Sequence, residues 1–268
     1  MTEQLPESSE TTATAAEAAM PSLVGELHLG ASFLTRLPLP DCGVLPPGAL
    51  ARAMRLFPLV GAGIGALAGA VFWAAHAVLP PLPAALVAVL AAVLLTGALH
   101  EDGLADTADG LGARGGRDKR LEVMRDSRTG AYGVLALLFT IGLRATALAA
   151  APSAVAGLGA LVAAAAWSRA LIPAAMQVMP PARADGLGAG AGMPDATVAA
   201  TAAVIGLLLA LLGLGGAAAP AVLLALAAAW GVVALARRTL GGFTGDVLGA
   251  IQQVAEITVL LAAAGAWA

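Results

Sequence analysis

The chain has 268 residues, 59% of them hydrophobic and 12% charged, with a formal net charge of −3. An ordinary soluble domain carries about twice that share of charge, and a mean hydropathy of +0.88 leaves too little polar surface to coat a water-soluble globule. The apolar runs therefore imply helices in lipid. No alternation suited to a membrane barrel is visible, and the single Cys42 excludes an internal disulfide framework or a multi-cysteine metal site.

Residues 1–22 read as a disordered polar tail. They carry Glu3, Glu7, Glu10 and Glu17 and no basic residue, which excludes the basic-then-apolar pattern of a secretory signal. Residues 23–268 read as one integral membrane domain. Leu23 to Pro40 is moderately apolar, holds Glu26, His28 and Arg36, and ends at the Pro38/Pro40 pair. It is short for a span, so an interfacial or re-entrant helix is expected. Seven candidate spans follow, at 57–79, 82–99, 131–151, 154–176, 197–214, 217–236 and 247–267. The predicted fold is an all-α, polytopic helical bundle.

Breaks near Pro80-Pro81, Pro152-Ser153 and Gly215-Gly216 are short and uncharged, and read as tight turns between antiparallel helices. The other connections hold the basic residues: Arg52 and Arg55, six between Arg114 and Arg128, Arg183, and Arg237 with Arg238. With seven alternating spans these segments share one side, which the positive-inside rule makes cytoplasmic. The amino terminus is then inside, in a cytoplasmic (inner) membrane protein.

The densest chemistry lies in His100-Glu101-Asp102-Gly103-Leu104-Ala105-Asp106-Thr107-Ala108-Asp109-Gly110. Asp102, Asp106 and Asp109 are spaced i, i+4, i+7, which puts them within an arc of about 60° on a helix. Three carboxylates on one face repel unless a cation lies between them, and hard oxygen donors suit Mg²⁺ or Mn²⁺. The loop continues through Arg114, Arg117, Lys119 and Arg120 to Met124-Arg125-Asp126-Ser127-Arg128-Thr129-Gly130. Arg125 and Arg128 could present two guanidinium forks to phosphate, whereas topology accounts for Arg117, Lys119 and Arg120. A carboxylate-bound metal beside a basic cluster fits phosphoryl transfer at a pyrophosphate.

Before the last span stands Gly241-Gly242-Phe243-Thr244-Gly245-Asp246. A glycine-rich turn entering a helix favours an anion; Asp246 either adds a carboxylate to the metal cluster or caps the helix. Arg144, Arg169 and Glu256 fall inside spans. Arg169 could snorkel toward the acidic site, and Arg144 with Glu256 could form a buried ion pair.

The segments Phe33–Pro40, Phe57–Gly61, His100–Gly110, Met124–Gly130 and Gly245–Gly249 resemble, in order, those of the cobalamin synthase family, also called adenosylcobinamide-GDP ribazoletransferase or cobalamin-5′-phosphate synthase. The resemblance implies a Mg²⁺-dependent membrane enzyme that joins adenosylcobinamide-GDP to α-ribazole or its 5′-phosphate and releases GMP. The residues as read above fit that chemistry, with metal on Asp102, Asp106 and Asp109, the hydroxyl proton taken by Asp109 or His100, and the leaving phosphate held by Arg125 and Arg128. Substrate contacts are expected from Arg36, Arg114, Ser127, Arg169, Gly245 and Asp246. The family pattern has a leucine-type residue where Glu101 stands, so Glu101 is left out of the ligand set. Expected partners are the two small-molecule substrates, the lipid membrane and other late cobalamin-pathway enzymes, and no nucleic acid.

Two alternatives differ in pattern. CDP-alcohol phosphotransferases share an Asp-Gly-x-x-Ala run, but they follow it with arginine and wider-spaced aspartates, where this chain has Asp106 and Asp109. A transporter would place its polar residues at the midplane of interrupted helices in paired halves; here the charge is concentrated in loops.

Overall fold

The structure is a computed structural model describing residues 19–183 and 190–268; most of the expected tail, residues 1–18, lies outside the described residues. Among those described the fold is all helical, with one isolated bridge between Pro181 and Phe243. The helices are α1 (Leu23–Leu34), α2 (Ala49–Ala53), α3 (Phe57–His76), α4 (Pro81–Thr96), α5 (Leu99–Gly112), α6 (Arg117–Val123), α7 (Ala131–Ala149), α8 (Ala154–Val178), α9 (Ala196–Leu214), α10 (Ala218–Thr239) and α11 (Gly245–Trp267).

Each of the seven apolar segments is helical, and the three uncharged breaks fall between helices as expected. Five stretches are long and apolar enough to cross a membrane, or six if α4 and α5 count together as one bent span. One of the five, Ala196–Thr239, holds both α9 and α10, broken where Gly215 takes a positive φ of 55°. At 16 residues α4 extends only about 24 Å, short of a hydrocarbon core of about 30 Å. The 12-residue α1 is shorter still, as an interfacial or re-entrant helix should be.

The core is built by small residues. Gly61, Gly65 and Gly69 line one face of α3 and bring it against α8; a Cβ on Gly65 would stand 2.7 Å from the Cα of Val162. Small-residue stripes let apolar helices gain van der Waals contact where no hydrophobic effect acts between them. α8 and α11 are the most buried long helices, while α9 and α10 expose Leu208, Leu212, Leu223 and Trp230 in the manner of lipid-facing surfaces. α1 is clamped by Glu26, fully buried, whose carboxylate pairs with Arg52 and Arg55, each at 2.7 Å.

Candidate active site

The acidic segment does not continue the helix before it. Gly97 and Ala98 both adopt left-handed backbone, with φ of 63° and 58°, and α5 leaves α4 at 91°. Ala98 is the only described non-glycine residue with positive φ, and for an alanine that conformation is costly. Arg36 secures the turn: its N–H donates to the Leu95 carbonyl at 2.8 Å and its side chain lies over Gly97. The turn sends a polar helix across the end of the bundle. On α5 the predicted face is realised, with Gly103, Ala105, Thr107 and Gly110 buried and Asp102, Asp106 and Asp109 on the more accessible side.

α5 crosses α11 at two glycines. A Cβ on Gly103 would stand 2.9 Å from Cα and O of Asp246, and one on Gly249 would stand 3.2 Å from the His100 carbonyl. This close approach sets Asp246 beside the acidic face of α5. Thr244, not Asp246, caps α11 by accepting from the Val247 N–H at 3.2 Å, and Thr244 also donates to the Asp246 carboxylate at 3.1 Å. Of the two sequence readings of Asp246, the cap therefore falls away.

A cavity of about 340 Å³ opens at this crossing. Its polar end is His100, Asp102, Arg183 and Asp246; its other walls are chiefly apolar and include Phe33 and Leu34 of α1, Met54, Phe57, Ile172 and Leu248. Residues from four of the five family-like segments meet there. Arg183 lies 3.3 Å from Asp246, a place at the site that its position in a basic loop does not reveal. The segment is placed by the bridge at Phe243, whose N–H donates to the Pro180 carbonyl at 2.9 Å, and by Arg117, whose guanidinium donates to the carbonyls of Leu240 (2.9 Å) and Ala182. Arg117 thus has a structural task beyond topology, as does Arg120, which donates to the carbonyls of Gly110 and Leu111 at the end of α5.

Other expected site residues lie elsewhere. Asp109 accepts from the N–H groups of Gly130 (2.7 Å) and Gly133 (2.9 Å), so its carboxylate faces the start of α7. It lines a second, shallower cavity of about 280 Å³ with Asp126 and Arg128. Arg128 is exposed and paired with Asp126 at 2.6 Å; hydrogen bonding from Arg128 pulls the Asp126 carboxyl down to about 2. Arg125 and Ser127 are exposed in the same loop and Arg114 just past α5, none of them lining the cavity at the α5–α11 crossing. Arg36 faces a separate hollow bounded by Thr35 and Asp41. Arg169 does not snorkel: it is 2% exposed and turns inward to Glu256 at 3.3 Å.

That inward turn belongs to a buried network below the cavity. Arg144 bridges Glu101 and Glu256, each at 2.7 Å, and Glu256 also meets Arg169. Gln253 donates to Glu101 at 3.1 Å, and Gln252 to Glu256 at 2.6 Å and Ser168 at 2.9 Å. Two carboxylates balance two guanidinium groups, as burial in an apolar bundle demands. The sequence reading proposed Arg144–Glu256; it gave no structural role to Glu101, which ties α5 to α7 and α11. Burial, then the charges of Arg169 and Arg144, hold the His100 imidazole well below its usual range. It is therefore neutral near pH 7 and able to accept a hydrogen bond.

Among the described residues no three His, Cys, Asp or Glu side chains converge tightly enough to hold a metal ion as they stand. The donor chemistry still fits Mg²⁺. Asp106 is pushed up to about 7, first by burial and then by Asp102, Asp246 and Asp109. These carboxylates sense one another, and a divalent cation among them would relieve the repulsion.

The sequence profile of the cobalamin-5-phosphate synthase family matches residues 26–264. A protein of Bradyrhizobium diazoefficiens named adenosylcobinamide-GDP ribazoletransferase is 46% identical over 246 residues, covering 91% of this chain and 94% of its own. Proteins of the same name from Azorhizobium caulinodans and Mesorhizobium japonicum are each 45% identical, covering 89% and 90% of this chain and 95% and 93% of their own. No solved structure matches the chain.

Proposed function

The chain belongs to the cobalamin-5-phosphate synthase family, and we propose from that premise that it transfers the cobinamide-bearing phosphate of adenosylcobinamide-GDP to a hydroxyl of α-ribazole or its 5′-phosphate, releasing GMP. The observation that carries the reading is the convergence of four family-like segments on one cavity with a neutral imidazole, two carboxylates and an arginine at its polar end. The acceptor oxygen forms a bond to the phosphorus nearest cobinamide, the pyrophosphate P–O bond to GMP breaks, and the hydroxyl proton passes to a base. His100 lines the cavity and would take that role in preference to Asp109, which is absent from its lining and is engaged by two backbone N–H groups.

Asp102, Asp106 and Asp246 would hold Mg²⁺, with Asp109 at the edge of the group. Bound there, the ion supplies charge neutralisation at the pyrophosphate. Arg183 would orient a phosphate oxygen inside the cavity. Arg125 and Arg128 would hold the guanylate from the outer loop, Arg128 exchanging Asp126 for phosphate. The clustering of basic residues in the connections supports a site at the cytoplasmic face, with the amino terminus inside. No observation favours the lipid-synthesis or transport reading.

The test uses purified protein in nanodiscs with adenosylcobinamide-GDP, α-ribazole 5′-phosphate and Mg²⁺, following GMP and the corrin product by chromatography. Metal-dependent release of both, abolished in Asp106→Ala, is expected. Correctly folded protein that yields no corrin product, or that turns over a CDP-alcohol instead, would refute the assignment.

A further inference from the structure

The cavity at the α5–α11 crossing is lined by both polar and apolar groups, and its apolar end is unused by the proposed mechanism. Phe33 and Phe57 stack there with ring centroids 6.0 Å apart and planes 14° from parallel, Phe57 buried and Phe33 partly open. Leu34, Met54 and Leu248 add to the apolar walls, and the charged side chains of the lining are Asp102, Arg183 and Asp246. At the polar pole, Nδ1 of His100 is buried without a hydrogen-bond partner, which a ligand hydroxyl could supply.

Resting on the function proposed above, we infer that this apolar end is the subsite for the aromatic base of the acceptor nucleoside, with its sugar toward His100 and Asp102. Size and polarity select the acceptor over the donor. At about 340 Å³ the cavity lies near the lower end of the range, roughly 300–1,000 Å³, in which small ligands bind. A base on one ribose is of that scale. A corrin ring bearing an adenosyl group and a GDP arm is several times larger, and its rim of amides needs polar partners that these walls lack. The two ends also match the acceptor in order: a flat apolar base at one pole, hydroxyls at the other. α1 forms one wall, and Glu26 ties it to Arg52 and Arg55, which flank Met54 of the same lining.

The experiment is two-substrate steady-state kinetics on the full chain in nanodiscs, paired with calorimetric titration of α-ribazole in the absence of donor. Phe33→Ala should raise KM for α-ribazole about tenfold and weaken its direct binding to match. KM for adenosylcobinamide-GDP should be unchanged and kcat should stay within about twofold, and Phe33→Tyr should restore most of the loss. Leu248→Phe, from a different helix, narrows the same space and should shift the acceptor KM in the same direction even if Phe33→Ala fails to fold. Ribose 5-phosphate, which lacks the base, should not displace α-ribazole. A rise in donor KM with acceptor KM unmoved, or no change in either constant, would overturn the subsite. If wild-type protein binds α-ribazole and Phe33→Ala weakens that binding but no GMP is released, the proposed reaction fails while the subsite stands; if it releases GMP and both wall variants behave as wild type, the reverse holds.

Discussion

Replacing Glu256 with glutamine removes one negative charge from a network that is neutral as a whole. Glu256 meets Arg144 at 2.7 Å and Arg169 at 3.3 Å, and all three side chains are 6% exposed or less. The substitution keeps the shape but leaves Glu101 alone to balance two guanidinium groups. Two unit charges about 4 Å apart interact by about 4 kcal/mol at the effective dielectric that describes buried sites, and stripping one partner from a buried pair costs about 3–5 kcal/mol by experiment. Against a total stability of about 5–15 kcal/mol, that is a loss of roughly 10 °C in Tm for a chain of this size. The assay is thermal unfolding in a fixed detergent, monitored by circular dichroism. The double variant Glu256→Gln/Arg169→Met restores neutrality and leaves Glu101–Arg144 intact, so it should recover a substantial part of the loss. A single variant that melts with wild type, or a double variant whose losses simply add, would refute the charge-balance reasoning.

Gly103→Ala adds a Cβ 2.9 Å from the Asp246 backbone; it should separate α5 from α11, destabilise by about 1–3 kcal/mol and lower kcat/KM by about a hundredfold, checked by melting and turnover on the same sample. The raised Asp106 carboxyl, at about 7, fixes a sign in metal-free protein. The folded state holds the proton more tightly than the unfolded chain, so this group's stabilisation is full below its ordinary pKa and is lost as pH rises toward 7. With EDTA, Tm should therefore fall over that interval, and Mg²⁺ should raise Tm more at pH 8 than at pH 6; equal Mg²⁺ effects at both would exclude Asp106 as a ligand. Arg117→Ala releases the Ala182 and Leu240 carbonyls and should cost about tenfold in activity through misplacement of Arg183, with faster proteolysis near residue 182; unchanged activity would remove Arg117 from any positioning role.

The sequence by itself determined the solvent and the chemistry. Apolar length and clustered charge required helices in lipid, the i, i+4, i+7 spacing put Asp102, Asp106 and Asp109 on one helical face, and ordered motifs pointed to the family. These properties are local, so periodicity and composition carry them. The tertiary structure alone decided which charges serve which end. Consecutive left-handed residues at 97 and 98 turn α5 by 91°, and a glycine crossing brings Asp246 to it from nearly 150 residues away. Asp109, close to Asp102 in sequence and on the same face, is instead engaged by the start of α7. Arg183 lines the cavity, although its loop position suggests only topology, and Arg169 turns into the core instead of snorkelling toward the acidic site. A side chain's partner in a bundle is set by which helices cross and how closely, and that depends on small residues on two segments at once, which no single stretch of sequence contains.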